Sequence, residues 1–590
     1  MHRNLADSYW ALLPLLMLSV VAASLPSVAG GTESVPTTIY YDARVFTAEY
    51  EHPYAEAVAV RGDRILAVGT RAAVESAAGA GARRVGLHGK FLMPGMVDAH
   101  VHAIQGGITL VQREYDAQWT SVDAIVAVVR EELAKHQSFR GDVLVISSMA
   151  TEQWSHSAAI DAVLSHGEFA QQPIFLVGSD GHTAWANQIV RGRAGITKDF
   201  IAHLSPVDRQ YYGATETGEP NGFVVDAGKN KVDDSLPPYS PEFLLRAGQA
   251  AVHYLNGFGI TGWLDAAPAG VIGGSAPLRA SDPGFLTVYR ALSQRGELTA
   301  HVAAYPVIQP DAGNAQLDEV QALQRQFAGV PNLSIPGLKV FADGVVEYPS
   351  QTASLTQPYR NSGRSVPLLY TPSKFNALVT EAARRGLNVH IHAIGDLAVK
   401  ASLDAFAAAR HALPRSDLPF SMTHVQFLDD EDAARFAQLH VIAALQLLWA
   451  QGNPDSLEEV QPHIAPEIYR TMYSARSILD AGGEIAGASD WFVSSPNPFL
   501  AMRVAETRSG PGGTLGIEQA MPREAMLYAY TRHAAHAIGL EREAGTLAPG
   551  KRADLVLVDR DLLTVPATEL DQAQVVWTMF GGRIVHGQAP

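Results

Sequence analysis

The middle of the chain, residues 94–545, alternates short apolar runs with longer, Ala-rich stretches of helical character. Strands that alternate with helices form parallel β/α units. Eight of the apolar runs have the length and composition of strands, and eight is the number that a closed (β/α)8 barrel of the TIM type needs. We therefore predict an α/β fold of this kind, with strands at residues 96–102, 260–265, 299–306, 337–341, 388–392, 420–424, 441–447 and 484–490.

Both ends of the chain carry short β-like runs that are separated by glycine turns, such as Gly62-Asp63 and Gly581-Gly582. We predict that residues 30–93 and 546–590 together form one small β-sandwich. The segment between the first two barrel strands is too long for one crossover helix, so an inserted subdomain is predicted at residues 104–258. The β-like runs at the two ends are residues 38–41, 55–60, 64–68, 553–558, 574–579 and 583–585.

Residues 1–29 have the features of a secretory signal peptide. Arg3 is followed by residues 10–25, which carry no charge, and Ser27-Val28-Ala29 places small residues before a cleavage point. The charge-free run of about 16 residues is shorter than the roughly 20 that span a bilayer. We expect secretion to a bacterial periplasm, without a stable membrane span after cleavage; an uncleaved anchor helix is the alternative.

Composition narrows the chemistry. The chain has 590 residues and a formal net charge of −16, which argues against nucleic acid as a partner because phosphate binding needs a basic face. It has no cysteine, which excludes a thiolate nucleophile, thiolate metal ligands and disulfides. The expected partner is a small-molecule substrate, and a homodimer is left open. Any metal must be held mainly by histidine and carboxylate side chains.

Candidate metal ligands fall at or near the ends of five predicted strands. His100 and His102 are two residues apart on a strand and therefore point to the same face. Active sites of barrels are built from the C-terminal ends of the strands, so the placement itself indicates a metal site. Two surface histidines would explain one such pair, but not the whole set. The six candidates are His100, His102, Lys339, His392, His424 and Asp490.

Lys339 is the unexpected member of this set, because an ammonium repels a metal cation. At about 4 Å and an effective dielectric of about 20, the repulsion from a dication is roughly 8 kcal/mol. Burial and the metal should lower the pKa of the amine and leave it neutral. A neutral amine can take up CO₂ to form an anionic carbamate that bridges two metals. A salt bridge between Lys339 and Asp343 is the alternative.

With these residues in view, the chain resembles the amidohydrolase superfamily, and within it the YtcJ-like branch (amidohydrolase 3) that includes N-substituted formamide deformylases. The resemblance covers nearly all of the chain after the predicted signal peptide. It implies a metal-dependent barrel hydrolase. The segments that carry it are residues 94–102, 339–344, 392–396, 423–424, 489–491 and 545–555.

The resemblance also implies roles for the candidates. His100, His102 and Asp490 would hold the more buried metal, His392 and His424 would hold a second one, and carboxylated Lys339 would bridge the two. Asp490 would also act catalytically, taking a proton from the attacking water and delivering it to the leaving nitrogen. Zinc is the expected metal; iron, manganese, cobalt and a single-metal site stay open.

Further residues are predicted near the substrate. In the resembling branch, the segment that contains His182, Trp185 and Asn187 lies near the substrate pocket, so His182 is a second catalytic candidate, with a structural role as the alternative. Trp449 follows the seventh strand and would line the pocket or the core. Asp343 and Asp396 would orient ligands or cap helices, and His533 and His536 are expected to be packing residues. Residues 147–154 depart from the pattern of the branch, which leaves the substrate open.

The function predicted from these observations is hydrolysis of a C–N bond in an amide, N-acyl or N-formyl compound by metal-bound hydroxide. A deaminase or esterase that acts on another small molecule is one alternative. The other is a non-catalytic binding or regulatory protein on the same scaffold. The complete set of ligands favours an enzyme, because a binding module has no need of Asp490 beside the metals.

Overall fold

The computed structural model describes residues 36–112, 121–136, 138–206, 208–270, 277–310 and 313–588. The predicted signal peptide, residues 1–29, lies outside these described residues. Over the part of the chain that is described, no helix combines the length and the apolar character that crossing a membrane requires.

All eight predicted barrel strands are present, with bounds within a few residues of the expectation. They form two parallel sheets, one with β5, β12 and β13 and one with five consecutive strands, and most of their residues are buried on both faces, as parallel strands between layers of helices require. The strands are β5 (Met96–Val101), β12 (Ile260–Asp265), β13 (His301–Ala304), β15 (Gly337–Phe341), β16 (Asn388–Ala393), β17 (Ser421–His424), β18 (Ile442–Leu445) and β19 (Glu484–Gly487), with the short β14 (Leu333–Ser334) beside β13.

The two sheets meet at both of their edges through isolated contacts. On one side, the Lys339 amide donates to the Pro306 carbonyl at 2.9 Å. On the other, the Asp490 amide, just after β19, donates to the His100 carbonyl at 2.8 Å. The strand number and order are those of the prediction, whereas the hydrogen bonds form two sheets rather than one closed ring.

The two chain ends share one seven-stranded sheet, in the order β24-β23-β22-β4-β1-β2-β3. Strands from both ends thus pair in this sheet, and the hydrogen bonds show a single sheet and not the two facing layers of the predicted sandwich. Strand β4 was not predicted, and it joins the two ends by pairing with β1 and β22. The strands are β1 (Thr37–Phe46), β2 (Tyr54–Arg61), β3 (Arg64–Gly69), β4 (Arg83–Pro94), β22 (Leu555–Val558), β23 (Val575–Phe580) and β24 (Arg583–Gly587).

The segment between β5 and β12 contains a sheet of its own, in the order β10-β11-β9-β8-β7-β6. This mixed sheet packs on two hydrophobic clusters of its own residues, as expected of an inserted subdomain. Its strands are β6 (Phe139–Arg140), β7 (Val143–Met149), β8 (Ile174–Gly178), β9 (Thr183–Ala186), β10 (Tyr212–Ala214) and β11 (Pro220–Val225); a separate hairpin is formed by β20 (Ser509–Gly510) and β21 (Gly513–Thr514).

Helices connect and cover these sheets, and several begin at clear sequence signals. Helix α8, for example, starts at Pro241 after Ser240, whose hydroxyl accepts from the Phe243 amide. The α-helices are α1 (Arg71–Ala78), α2 (Ala103–Val111), α3 (Val122–Lys135), α4 (Ser157–Leu164), α5 (Gln188–Arg193), α6 (Lys198–Ala202), α7 (Ala227–Asp233), α8 (Pro241–Gly257), α9 (Leu286–Gln294), α10 (Ala315–Gln326), α11 (Pro372–Arg384), α12 (Asp396–Ala412), α13 (Ala433–Leu439), α14 (Pro466–Tyr469), α15 (Ala475–Asp480), α16 (Pro498–Thr507), α17 (Arg523–Tyr528) and α18 (Ala534–Ala537).

Helix α2 follows directly on the strand that carries His100, and it packs closely against α8. A Cβ atom added at Gly107 of α2 would lie 2.0 Å from the backbone oxygen of Ala247 in α8. No rotation of a side chain can relieve that overlap, so only glycine permits this approach. The contact fixes the helix that begins where the first metal-binding strand ends.

We predict that Gly107→Ala destabilises the protein by about 1–3 kcal/mol, the usual cost of overpacking a well-filled interior. Scanning calorimetry should show a lower Tm than for the wild type. Gly192→Ala is the matched control, because Gly192 is also helical but no atom lies within 4 Å of its added Cβ. Equal melting temperatures of the two variants would contradict the close packing of α2 on α8.

Candidate metal centre

The six predicted metal ligands come together in the structure. All of them line one small void of about 30 Å³ near the C-terminal ends of the parallel strands, and each is less than a tenth exposed. Both sheets contribute ligands: β5 in the first sheet, and β15, β16 and β17 in the second. The segment after β19, where the two sheets meet, contributes another. The constellation predicted from strand ends is therefore a spatial cluster.

The tightest part of the cluster is formed by His100, His102 and Asp490. The Nε2 atom of each histidine lies 3.2 Å from the Asp490 Oδ1 atom. One ligand atom of each of the three residues lies within 4.8 Å of the other two. Two imidazoles and a carboxylate at these separations match the ligands and the spacing that a divalent metal such as zinc requires.

His392 and His424 are oriented by hydrogen bonds on the ring nitrogen that faces away from the void. The Nε2 atom of His392 is 3.0 Å from the Gly344 carbonyl oxygen, and the Nδ1 atom of His424 is 3.0 Å from Gln446 Oε1. Each partner accepts a hydrogen from the ring, which leaves Nδ1 of His392 and Nε2 of His424 as lone-pair donors. Second partners of this type fix the tautomer of metal-binding histidines.

Lys339 belongs to the cluster, and its Nζ atom lies 4.8 Å from the centroid of the Phe341 ring. Its side chain is fully buried, and its Nζ atom has no hydrogen-bond partner among the described residues. Burial lowers the pKa of this amine to about 7, against the charge of Asp490, which raises it. The alternative of a salt bridge with Asp343 is wrong, since the Asp343 carboxylate accepts from the backbone amides of Ser354, Ile394 and Gly395.

His100, His392 and His424 are held in the neutral form that binds metal. Burial is the main cause, and the charge of nearby Lys339 adds to it; together they place the pKa values of His100, His392 and His424 well below the usual range. Among the described residues, His102 Nδ1 and Asp490 Oδ1 are also buried without a hydrogen bond. Neutral imidazoles, a carboxylate and orphaned polar atoms around a small void fit a bound divalent metal.

Two residues that the sequence analysis missed support the cluster. His390 Nε2 lies 2.6 Å from His100 Nδ1, and the other nitrogen of His390 contacts the Ser421 hydroxyl at 2.7 Å. Asp98 Oδ1 accepts from the amides of His100 and Ser489 at 3.1 and 3.0 Å. Asp98 thus connects β5 to the segment after β19, the first and last of the eight predicted barrel strands. Both residues stand two positions before a predicted ligand, a spacing that places them on the same face of the strand.

Two of the ligands have strained backbones. His424 has a φ of 72° and Asp490 a φ of 56°, in the left-handed region that non-glycine residues rarely adopt. Such residues cost about 1–3 kcal/mol each and concentrate at functional sites. The strain at both positions aims the side chain into the void at the point where the strand ends.

A cavity of about 320 Å³ opens beside the cluster and shares His392, His424 and Asp490 with it. Its wall also includes Trp449, whose ring stacks on His424 with centroids 5.7 Å apart and an angle of 6° between the planes. The prediction that Trp449 lies at the pocket thus agrees with its position. The size matches the lower end of the range for small-molecule sites.

His182 lies where this cavity meets the metal cluster. Its ring is 5.9 Å from that of His392 between centroids, and its Nδ1 atom contacts Asp226 Oδ1 at 2.6 Å. Burial alone would lower the pKa of His182, but the hydrogen bond and charge of Asp226, with the charge of Asp180, raise it. Asp226 thus holds the ring through Nδ1 and favours its protonated form.

Trp185 and Asn187 are not at the cavity, and their prediction as substrate-binding residues is corrected. Trp185 is fully buried in the core of the inserted subdomain, where its Nε1 atom donates to the Asn221 carbonyl at 2.9 Å. Asn187 caps helix α5 and bonds to the backbone of Ile174. They belong to β9 and its end, whereas His182 precedes that strand in a turn that faces the metal cluster.

The remaining predicted residues occupy supporting positions. Asp343 binds the backbone after β16 and lies 3.9 Å from His392 Nε2, which agrees with an orienting role. Asp396, in contrast, bonds to the amide and hydroxyl of Thr356.

His533 and His536 lie on a separate cavity near the other end of the strands. In the departing segment 147–154, Thr151 reaches the cavity and donates to Glu459 at 3.0 Å.

The comparison with known families agrees with this geometry. The profile described as "Amidohydrolase family" matches residues 84–586, most of the chain. The chain belongs to the amidohydrolase family. The match includes every residue of the metal cluster, and it extends into the C-terminal strands of the end sheet.

Curated relatives cover nearly the whole chain. The protein LONG AFTER FAR-RED 3 of Arabidopsis thaliana is 27% identical over 97% of this chain and 95% of its own length. The putative amidohydrolase YtcJ of Bacillus subtilis is 23% identical over 93% and 99%. The N-substituted formamide deformylase of Arthrobacter pascens is 26% identical over 92% and 96%. The resemblance to the YtcJ-like branch is confirmed.

A solved structure supports the fold. An uncharacterized metal-dependent hydrolase from Pyrococcus horikoshii superimposes with a TM-score of 0.68 at 20% identity, covering 90% of this chain and 99% of that one. The two chains therefore share their overall fold. The shared fold agrees with membership of the amidohydrolase family.

We predict that His102→Ala and Lys339→Ala lose most of the bound metal, because each removes a group from a cluster in which no other described side chain replaces it. Elemental analysis of the purified variants measures the loss, and circular dichroism checks that they fold. His203→Ala is the control, since His203 is exposed and bonds only to the Asp199 carbonyl in its own helical turn. Wild-type metal content in both cluster variants would disprove the assignment.

Proposed function

We propose that this protein is a metal-dependent hydrolase that cleaves a C–N bond in an amide, N-acyl or N-formyl compound. The observation that carries the proposal is the convergence of four histidines, Lys339 and Asp490 on one void that opens into a cavity of small-molecule size. The relative named as an N-substituted formamide deformylase supports the bond type. The substrate of that relative does not transfer to this chain.

In the proposed reaction, the residues of the cluster would hold a divalent metal, and the chemistry that such an ion would supply is the activation of water at neutral pH and the polarisation of the substrate carbonyl. Asp490 accepts the proton of the attacking water and passes it to the nitrogen that leaves. His182, held as a donor by Asp226, hydrogen-bonds the oxygen that becomes negative when the carbonyl carbon is attacked. Trp449 forms an apolar wall against which the substrate packs.

We also propose that Lys339 is carboxylated and that the metal is zinc. The neutral amine adds to CO₂ and loses one proton, which turns an unpartnered buried group into an anion with two oxygen ligands. Support comes from its burial, from its lowered pKa of about 7 and from its position between His100 and His392. Such an anion would place a negative charge where the metals require one.

Turnover should depend on metal and on His182. We expect an amide of the right class to be hydrolysed by the metal-replete protein, not after chelation, and again after metal is restored. His182→Asn should lower kcat by about 100-fold, the usual loss on removing one donor to a developing oxyanion, while metal content stays unchanged.

A mixed panel of amides, N-formyl compounds and esters provides the measurement, with His203→Asn as a surface control. Fully loaded, folded protein that turns over no amide would contradict the proposal. That outcome would favour the regulatory or binding role on the same scaffold, and turnover of esters alone would favour the esterase alternative.

We propose further that the chain is exported to a periplasm. The proposal rests on the charge-free run of residues 10–25 and on the small residues before Gly30. Expression in a Gram-negative host should yield protein in the periplasmic fraction with Gly30 as its first residue by N-terminal sequencing. Recovery of the chain in the membrane fraction with Met1 intact would indicate the uncleaved anchor instead.

A further inference from the structure

The wall of the 320 Å³ cavity is acidic. Besides Asp490 at the metal cluster, it includes Asp180, Glu347, Asp455 and Glu459, which come from three separate parts of the chain. Among the described residues that line the cavity, there is no lysine or arginine. A ligand in this cavity therefore faces several carboxyl groups and no fixed positive side chain.

These carboxyl groups have only neutral hydrogen-bond partners. Glu459 accepts from the Thr151 hydroxyl at 3.0 Å, and Glu347 accepts from the Gln426 amide at 3.2 Å. Asp455 accepts from Asn453 at 2.9 Å. Within the described part of the chain, none of the three forms an ion pair.

The carboxyl groups also act on one another. Burial raises the pKa of Glu459 to about 9, and the charges of Asp455 and Glu347 contribute to the rise. Holding these groups together is unfavourable in the empty cavity, and a positive ligand would remove that cost.

The geometry favours an organic cation over a second metal ion. Among the described residues, His100, His102 and Asp490 are the only group whose ligand atoms are close enough to hold a metal. The acids instead surround a space large enough for a small molecule. Trp449 and Tyr473 stand in the same wall, and aromatic rings attract cations through their faces.

We propose that the substrate carries a cationic group, an ammonium or guanidinium, which binds among Glu347, Asp455 and Glu459 while its C–N bond reaches the metal cluster. This inference rests on the proposed hydrolase function. It adds a substrate class: N-acyl or N-formyl derivatives of diamines or of guanidino amines, rather than neutral or acidic amides.

Three amides of matched length test the preference on the metal-replete full chain. They are N-acetyl-1,4-diaminobutane, its neutral analogue N-pentylacetamide and the acidic analogue N-acetyl-5-aminopentanoate, each also as the N-formyl compound. We expect kcat/KM to be at least tenfold higher for the ammonium compound than for the pentyl compound. The acidic compound should be the poorest substrate of the three.

Neutralising variants test whether the acidic wall causes the preference. Asp455→Asn combined with Glu459→Gln should reduce the ratio of kcat/KM between the ammonium and pentyl compounds at least fivefold. Glu458→Gln is the matched control, because Glu458 lies on the same helical segment and is exposed, as Asp455 is, but does not line the cavity. This control should leave the ratio unchanged.

The outcomes separate the two proposals. Hydrolysis of the pentyl compound at a rate equal to or above that of the ammonium compound would overturn the cationic substrate and leave the hydrolase in place. If no compound is hydrolysed, the hydrolase proposal fails for these acyl groups, and calorimetric binding decides the inference instead. Tighter binding of N-acetyl-1,4-diaminobutane than of N-pentylacetamide would then support it, and equal binding would refute it.

Discussion

The site depends on one constraint: polar groups are buried at the strand ends without enough protein partners. Lys339 Nζ and His102 Nδ1 have no hydrogen-bond partner among the described residues. Asp490 Oδ1 lies 3.2 Å from the Nε2 atoms of His100 and His102 without a hydrogen bond to either. Each unsatisfied buried group costs about 1–3 kcal/mol, and more when it is charged. Packing does not offset this cost, because the void of about 30 Å³ among these groups contains no further described side chain that could bond to them. A bound metal does, since it turns lone pairs that have no partner into ligand bonds. The fold is therefore organised to present an incomplete coordination shell.

The second requirement is that the candidate ligands keep their positions although their side chains do not attract one another. Hydrogen bonds from behind meet it: Gln446 holds His424, the Gly344 carbonyl holds His392, and His390 holds His100. Asp98 connects the amide of His100 to that of Ser489, so the junction between the first and last strands is fixed at the ligands themselves. The left-handed backbone at His424 and Asp490 is maintained by the same surroundings, which lets two strand ends turn their side chains inward.

The six candidate ligands could be predicted from the sequence because each stands at or near the end of a strand that is recognisable locally. A strand has a period of two, so a His-x-His pair at a strand end already states that both rings face one side. The same rule applied to His390 and Asp98 would have found the supporting residues. Trp185 and Asn187 failed because closeness to His182 along the chain does not say which way a strand faces. Strand β4 was missed because its two glycines and three basic residues disguise a strand that exists through long-range pairing. The closed barrel was inferred from strand number, while the ladders stop at two sheets.

The acidic wall shows what no local pattern could have revealed, because Asp180, Glu347 and Asp455 are scattered and each would pass for a solvated surface acid. Only the fold brings them to one cavity beside the candidate metal cluster. With a metal bound, this arrangement would orient a ligand, with a carbonyl oxygen towards the metal and a positive group towards the acidic wall. Amide hydrolysis produces a carboxylate, which the wall repels, and an amine, which it attracts. The electrostatics that select a cationic substrate would thus also expel the acid product first and hold the amine longer.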